Sequence, residues 1–247
     1  MHVLAAIRLT GHLNALAAAQ SGTPPAGPPM SPEVAARHVI ADDTAHHVID
    51  SHGVLGLDPL RANDLDRALS AVALLASTTP TDPGWALVLP EPGALGVLRG
   101  PAELTAAALE AEVAVVHTGG GHAFVPQQVG SAIQWQVLPA NPPAPTVTPP
   151  EAERQLSEAV LAAGRRLGDL DMTAGERPAE VSAMLPAAYG SRAQRGAQRA
   201  LTILRACDAG LADANLLHSH AVTTRETVLR TLRRTSADAL CAWTTWL

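Results

Sequence analysis

The chain has no lysine; all 17 of its basic side chains are arginine. A lysine amine forms the Schiff bases of carbonyl and pyridoxal phosphate chemistry, and it is what a P-loop or a protein kinase places on nucleotide phosphates. Those chemistries are therefore excluded. Arginine stays protonated near neutral pH and replaces lysine neither as nucleophile nor as proton acceptor. Aromatic residues are 2% of the chain, so the core has to be built from Ala, Leu and Val. That suits closely packed helices and leaves few stacking platforms for nucleic-acid bases. Two cysteines, Cys207 and Cys241, are too few for a four-thiolate zinc site or an iron–sulfur cluster within one chain, and they argue against a disulfide scaffold. No apolar run reaches the roughly 20 residues that span a bilayer. Arg8, His12 and Asn14 interrupt the apolar N-terminal stretch where a signal peptide needs an unbroken one. The N-terminus therefore reads as a first helix, and a cytoplasmic location is the default expectation.

What is present is globular: 247 residues, 47% hydrophobic, 16% charged, net charge −6. That length suits one large domain or two small ones. The excess of alanine, arginine and proline is also what a GC-rich genome writes, so the missing lysine excludes activities without naming one.

Residues 2–19 place Leu9, Leu13, Leu16 and Ala17 at helical spacing. Gly22–Pro29 is too rich in proline and glycine to be anything but a loop. Ser31-Pro32-Glu33 is a helix start, with a capping hydroxyl, proline at the first position and an acid in the first turn. The pattern predicts that this second helix runs to about His52 and stops at Gly53. Asp58-Pro59 repeats the start signal and predicts a third helix to about Ser77. Trp85–Pro90 is a short apolar run that fits a buried strand. Pro101 opens a short helix to about Glu110. Val113–His117, His122–Val125 and Ile133–Leu138 read as three further strands. In the last, Ile133, Trp135 and Val137 alternate with Gln134 and Gln136, which implies one face on a core and one in water. Residues 141–150 hold Pro142, Pro143, Pro145, Pro149 and Pro150 and read as a semi-rigid linker. Beyond it the pattern is helical. Ser191-x-x-Gln194 and Thr223-x-x-Glu226 match the capping box and predict starts near 192 and 224.

The central stretch WALVLPEPGALGVLRGPAELTAAALEAEVAVV, with ADDTAHHV upstream and IQWQVLPA downstream, resembles a family of uncharacterised proteins from high-GC actinobacteria. The resemblance covers about residues 35–140 and, more loosely, the C-terminal helices. It implies a bacterial cytoplasmic setting and supplies no catalytic residue.

The densest polar cluster is Asp42-Asp43-Thr44-Ala45-His46-His47-Val48-Ile49-Asp50. On a helix Asp43, His46, His47 and Asp50 would share an arc of about 100°. Imidazole and carboxylate at that spacing suit zinc or another divalent ion, or a histidine poised near neutral pH. The plainer alternative is a solvated face with two ion pairs. His218 and His220 are a second candidate metal pair, if the backbone there is extended. Val113–His122 looks locally like an oxyanion-hole strand and glycine turn, but the chain lacks the Gly-x-Ser-x-Gly elbow, so a hairpin turn is the simpler reading.

Charge is uneven. Residues 1–150 carry 12 acids and 5 arginines, a balance of −7; residues 151–247 carry 11 acids and 12 arginines, a balance of +1. Arg192, Arg195 and Arg199 fall within about 60° on a helix. Such a stripe suits carboxylates or phosphates of a partner, and Trp243 and Trp246 are residue types enriched at binding hot spots. The basic bias is short of what a nucleic-acid-binding domain carries.

The sequence thus predicts an α+β fold. Residues 1–140 form helices with a small four-stranded sheet containing an antiparallel hairpin, 141–150 the linker, and 151–247 a helical region packed on the first part. The favoured function is non-enzymatic protein interaction or regulation, with self-association or a protein partner and neither nucleic acid nor membrane. No cofactor is required by this reading. The alternative is a metal-dependent hydrolase using Asp43, His46, His47 and Asp50.

Overall fold

The computed structural model describes residues 2–20, 30–77, 84–168, 178–212 and 220–247. The Gly22–Pro29 loop, and His218 of the second histidine pair, lie outside the described residues. The chain divides into two compact units, one of residues 1–146 with 184–190 and Leu247, the other of residues 147–183 with 191–246. The division at Thr146 and Val147 falls inside the proline-rich 141–150 stretch. No helix among the described residues is long and apolar enough to cross a membrane.

The first unit is α+β. Its helices are α1 (His2–Gln20), α2 (Pro32–Ile40), α3 (Leu65–Ser77) and α4 (Ala102–Ala111). Its strands are β1 (His46–Ile49), β2 (Asn63–Asp64), β3 (Trp85–Val88), β4 (Ala114–His117), β5 (Gly121–Val129) and β6 (Ala132–Ala140). They form one mixed sheet in the order β2-β1-β6-β5-β4-β3. Only the β1–β6 pair is parallel.

The sheet therefore has six strands where four were expected, and the two extra ones come from segments read as helical. The second helix does not run to His52. Ser31 caps it as expected, its Oγ accepting from Val34 N at 3.3 Å. The helix ends at Ile40, where Ala41 takes φ 45°. His46–Ile49 then pairs with β6, and Val48 lies opposite Trp135. Parallel pairing with a strand nearly 90 residues away overrides the local helical reading of His-His-Val-Ile. Asp58-Pro59 does not start the third helix either. It forms a turn, in which Asp58 Oδ1 accepts from Leu60 N at 3.0 Å, and α3 begins at Leu65.

Pleating divides the sheet into two faces. One carries Trp85, Leu87, Val115, Phe124, Trp135, Val137, His46 and Val48, all buried. Each such large apolar side chain contributes about 1.5–3 kcal/mol through burial. The other face carries Val88, Val116, Ala123, Val125 and Leu138, covered by Leu104 and Ala108 of α4 and by Leu98. Beyond Val125 that face turns polar, following the registers Gln127–Gln134–His47–Asp64 and Val125–Gln136–Ile49. The expected alternation in β6 is present: Ile133, Trp135 and Val137 are buried, and Gln134 and Gln136 are half-buried.

The outer edge of β3 is closed by a side chain. Asn14 on α1 accepts from Trp85 N at 2.7 Å and donates to Trp85 O at 3.0 Å, imitating a neighbouring strand. Its amide also donates to the buried Tyr189 hydroxyl at 3.1 Å. Pro186 packs beside Gly11, where a Cβ would stand 2.8 Å from Pro186 Cδ.

The second unit contains α5 (Pro149–Gly168), α6 (Ser191–Ala212) and α7 (His220–Thr245), with α7 packed against both others. Residues 178–190 are not helical, although the whole stretch beyond the linker reads as helical in the sequence, with helix starts near 192 and 224. Gly196 lies under the Trp243 indole, Gly210 under Leu229, and Asp208 bonds Arg233. This antiparallel register places Cys207 and Cys241 at well separated levels, about 10 Å or more apart along the helix axes at 1.5 Å per residue. That is beyond disulfide reach.

Candidate functional site

Of the residues singled out at 42–50, Asp43 and His46 come together, as links in a chain of hydrogen bonds inside the first unit rather than on a helix face. Trp135 on β6 donates its indole Nε1–H to His46 Nδ1 at 3.3 Å. His46 Nε2 lies 3.1 Å from Asp43 Oδ2. Arg8, on α1, stands 3.7 Å from the same oxygen and donates to the Val39 carbonyl at 3.4 Å. The His46 side chain has no solvent exposure.

This geometry fixes the state of the imidazole. An indole nitrogen only donates, so His46 Nδ1 must accept and carry no proton. The proton then sits on Nε2 and is donated to Asp43. Cationic His46 would set two N–H groups against each other at Trp135. Burial lowers its pKa from the ordinary 6.5, and hydrogen bonding and charge from Asp43 oppose that only in part. Both ring nitrogens are committed, and one Asp43 oxygen is shared with Arg8.

Asp50 is wholly buried and equally committed. Oδ1 accepts from Val54 N at 2.7 Å; Oδ2 accepts from Leu55 N at 2.9 Å and Leu57 N at 3.1 Å. It gathers the loop after β1 and has no lone pair aimed at a common centre with His46. His47, on the opposite sheet face, is half-exposed and lies 4.0 Å from Asp64. Strand alternation thus parts His47 from His46, and of the four side chains that a helix would have grouped only Asp43 and His46 touch. Among the described residues, no three His, Cys, Asp or Glu side chains are arranged to hold a metal ion. His220 opens α7, and the pairing of the two histidine clusters falls outside the described residues.

Three histidine arrangements escaped sequence reasoning. His12 is buried on α1 against the exposed His38 of α2, with ring centroids 5.2 Å apart. Burial, and then the neighbouring His38, push its pKa down to about 4. His117 and His122 stack at 5.2 Å and 12°, and both lie against Trp85. They flank the glycine turn at Gly119–Gly121, which is the expected hairpin. Gly120 takes φ 80°, and its carbonyl lies 2.7 Å from His117 Nδ1. His2 borders an open cleft described below.

The arginine stripe is partly used within the second unit. Arg199 bonds Glu153 and Ser157, and Arg192 lies 5.9 Å over the Trp243 ring. Trp243 is 5% exposed and packs on the bare backbone of Gly196. It is core rather than a hot spot on the surface. Arg195 is exposed with no hydrogen-bonding or ionic partner among the described residues, and Trp246 is 49% exposed. Both cysteines are buried, and burial raises the Cys207 thiol to about 11, well away from a reactive thiolate.

One concavity in the first unit has the makings of a binding site. A cleft of about 260 Å³ opens between α4 and the outer parts of β5 and β6. Val125 and Pro126 form its floor, Ala107 and Ala111 one wall, and Glu110, Gln127, Gln128, Gln136 and His2 its polar rim.

Residues 28–152 match the family described as Rv1486c-like protein, N-terminal domain. That range takes in α2 to α4, all six strands and the start of α5. No curated protein and no solved structure matches the chain.

Proposed function

The chain belongs to the family of Rv1486c-like proteins through its N-terminal domain, and from that premise we propose that it is a non-catalytic interaction protein that docks a protein partner. The observation that supports this reading best is the bare outer half of the sheet. His47, Gln134, Gln136 and Gln127 lie side by side on β1, β6 and β5, at least partly exposed and beyond the reach of the α4 core. Sheets in a packed unit ordinarily cover both faces or leave one to water; here one face is divided between the two. The side chains that could have carried hydrolysis are at the same time spent on internal bonds. His46, Asp43 and Asp50 hold α1, β1, β6 and the 50–57 loop together.

Docking is now assigned to the first unit rather than to the C-terminal helices, because Trp243 and Arg199 are occupied within their own unit. The test is site-specific photo-crosslinking in the cells the protein comes from. A photoreactive residue replacing Gln134 is expected to give one discrete adduct, identifiable by mass spectrometry. The same residue replacing the exposed Glu158 of α5 is expected to give none. Equal labelling at both sites, or none at either, removes the proposal.

A further inference from the structure

The cleft beside α4 bears one carboxylate. Glu110 is exposed on the last turn of α4 and has no ion-pair partner among the described residues. Around it stand three carboxamides. Gln136 donates to Gln127 Oε1 at 3.2 Å, and Gln128 donates to the Gly130 carbonyl at 2.9 Å. His2, the remaining polar group, has its pKa lowered mainly by burial and stands neutral near pH 7. Among the described residues no arginine lines the cleft, and the chain has no lysine. The floor is apolar, formed by Val125 at 2% exposure with Pro126 beside it.

Size narrows the occupant. Drug-sized and cofactor ligands take pockets of roughly 300–1,000 Å³, and this cleft falls below that range. It suits one or two side chains. An apolar floor with carbonyl oxygens and a single carboxylate at the rim matches an aliphatic stem ending in a cationic donor group. The surroundings share that sign: Glu103 and Glu112 on and next to α4, and Asp64 on β2, are all exposed. Residues 1–150 as a whole carry −7.

We propose that this cleft takes an arginine or lysine side chain of a basic segment on a protein partner, with Glu110 as its counter-ion and Gln127, Gln128 and Gln136 as hydrogen-bond acceptors. The inference rests on the docking reading above and adds the chemistry of the partner. Charge complementarity sets the encounter, and the amide rim sets the register of the incoming side chain. A partner presenting carboxylates at this position meets the Glu110 charge and is rejected.

The experiment uses the full chain and a fluorescein-labelled acetyl-(Gly-Arg)4-amide peptide, followed by fluorescence anisotropy. The (Gly-Glu)4 and (Gly-Gln)4 analogues serve as controls. Glu110→Gln is expected to weaken (Gly-Arg)4 binding about five-fold, the scale of one partly exposed charge pair. Glu33→Gln removes the same charge from α2, outside the cleft, and is expected to leave binding within about 1.5-fold, since exposed charges beyond a Debye length are screened. Chemical shifts of the Gln127 and Gln136 side-chain amides are expected to move with (Gly-Arg)4 and stay put with (Gly-Glu)4. Equal losses from Glu110→Gln and Glu33→Gln would reduce the effect to net charge and overturn the proposal. So would spermidine that displaces the peptide and moves the same amides as tightly as the peptide does, which would make the cleft a free-amine site. A dimer in light scattering that Glu110→Gln dissolves would make the occupant a second copy and also overturn it. If (Gly-Arg)4 fails while the Gln134 crosslink forms, the cation pocket falls and docking on the sheet stands.

Discussion

His12 should make the fold sensitive to mild acid. Its folded pKa of about 4 lies below the ordinary 6.5 of an unfolded histidine, so the unfolded state takes up the proton first. The stability this confers is fully present above pH 6.5 and is lost as pH falls toward 4. Each pH unit between those values is worth about 1.4 kcal/mol. At pH 5 the loss reaches about 2 kcal/mol, while most carboxylates are still ionised. Burial is the main cause, since the ring is 4% exposed, and the adjacent His38 adds repulsion. His46 has a lowered pKa too and acts in the same direction. The assay is urea unfolding at pH 7.5 and pH 5.0 for the wild type and for His12→Leu. The wild type is expected to lose about 2 kcal/mol more than the variant over that interval. Parallel losses in the two proteins would refute the reasoning, because they would show that His12 is not a buried neutral group.

Three further outcomes follow from contacts described above. Asp50→Ala strips Val54, Leu55 and Leu57 of their acceptor and should cost about 3 kcal/mol, read as a lower urea midpoint with an unchanged slope. Gly196→Ala drives a methyl group into the Trp243 indole and should lower stability by about 1–3 kcal/mol, with much of the loss recovered in the double variant Gly196→Ala, Trp243→Leu. Trp135→Phe leaves His46 Nδ1 without its donor and should cost about 1–3 kcal/mol while raising the His46 pKa, followed by its NMR titration.

Legibility in the sequence followed the range of the forces involved. Ser31, Pro32 and Glu33 announced α2 because a cap is made by neighbours, and the alternation in 133–137 announced β6 because a half-buried strand writes its period locally. The end of α2 was not legible. It falls at Ala41, a residue with no bias toward positive φ, and no glycine or proline stands between there and Ile49. The same string was therefore compatible with a helix that the β1–β6 pairing forbids. Asp58-Pro59 misled for a related reason, since an acid before proline suits a turn as well as a helix start. The cluster at 42–50 was rightly singled out as unusual, but its meaning lay in Arg8 and Trp135, which are 35 and 89 residues from Asp43 and His46. Nothing local encodes those partners. The cleft was missed because it is assembled from glutamines and a glutamate whose types carry no motif.

The central claim is that the Asp43–His46 pair is a closed structural link, not a metal or catalytic centre. Long-range proton–nitrogen NMR of the histidine rings tests it most directly. His46 is expected as the neutral Nε2–H tautomer near pH 7, with a resonance that does not move when one equivalent of zinc is added. A cationic ring, an Nδ1–H tautomer, or a His46 resonance displaced by zinc would contradict the account.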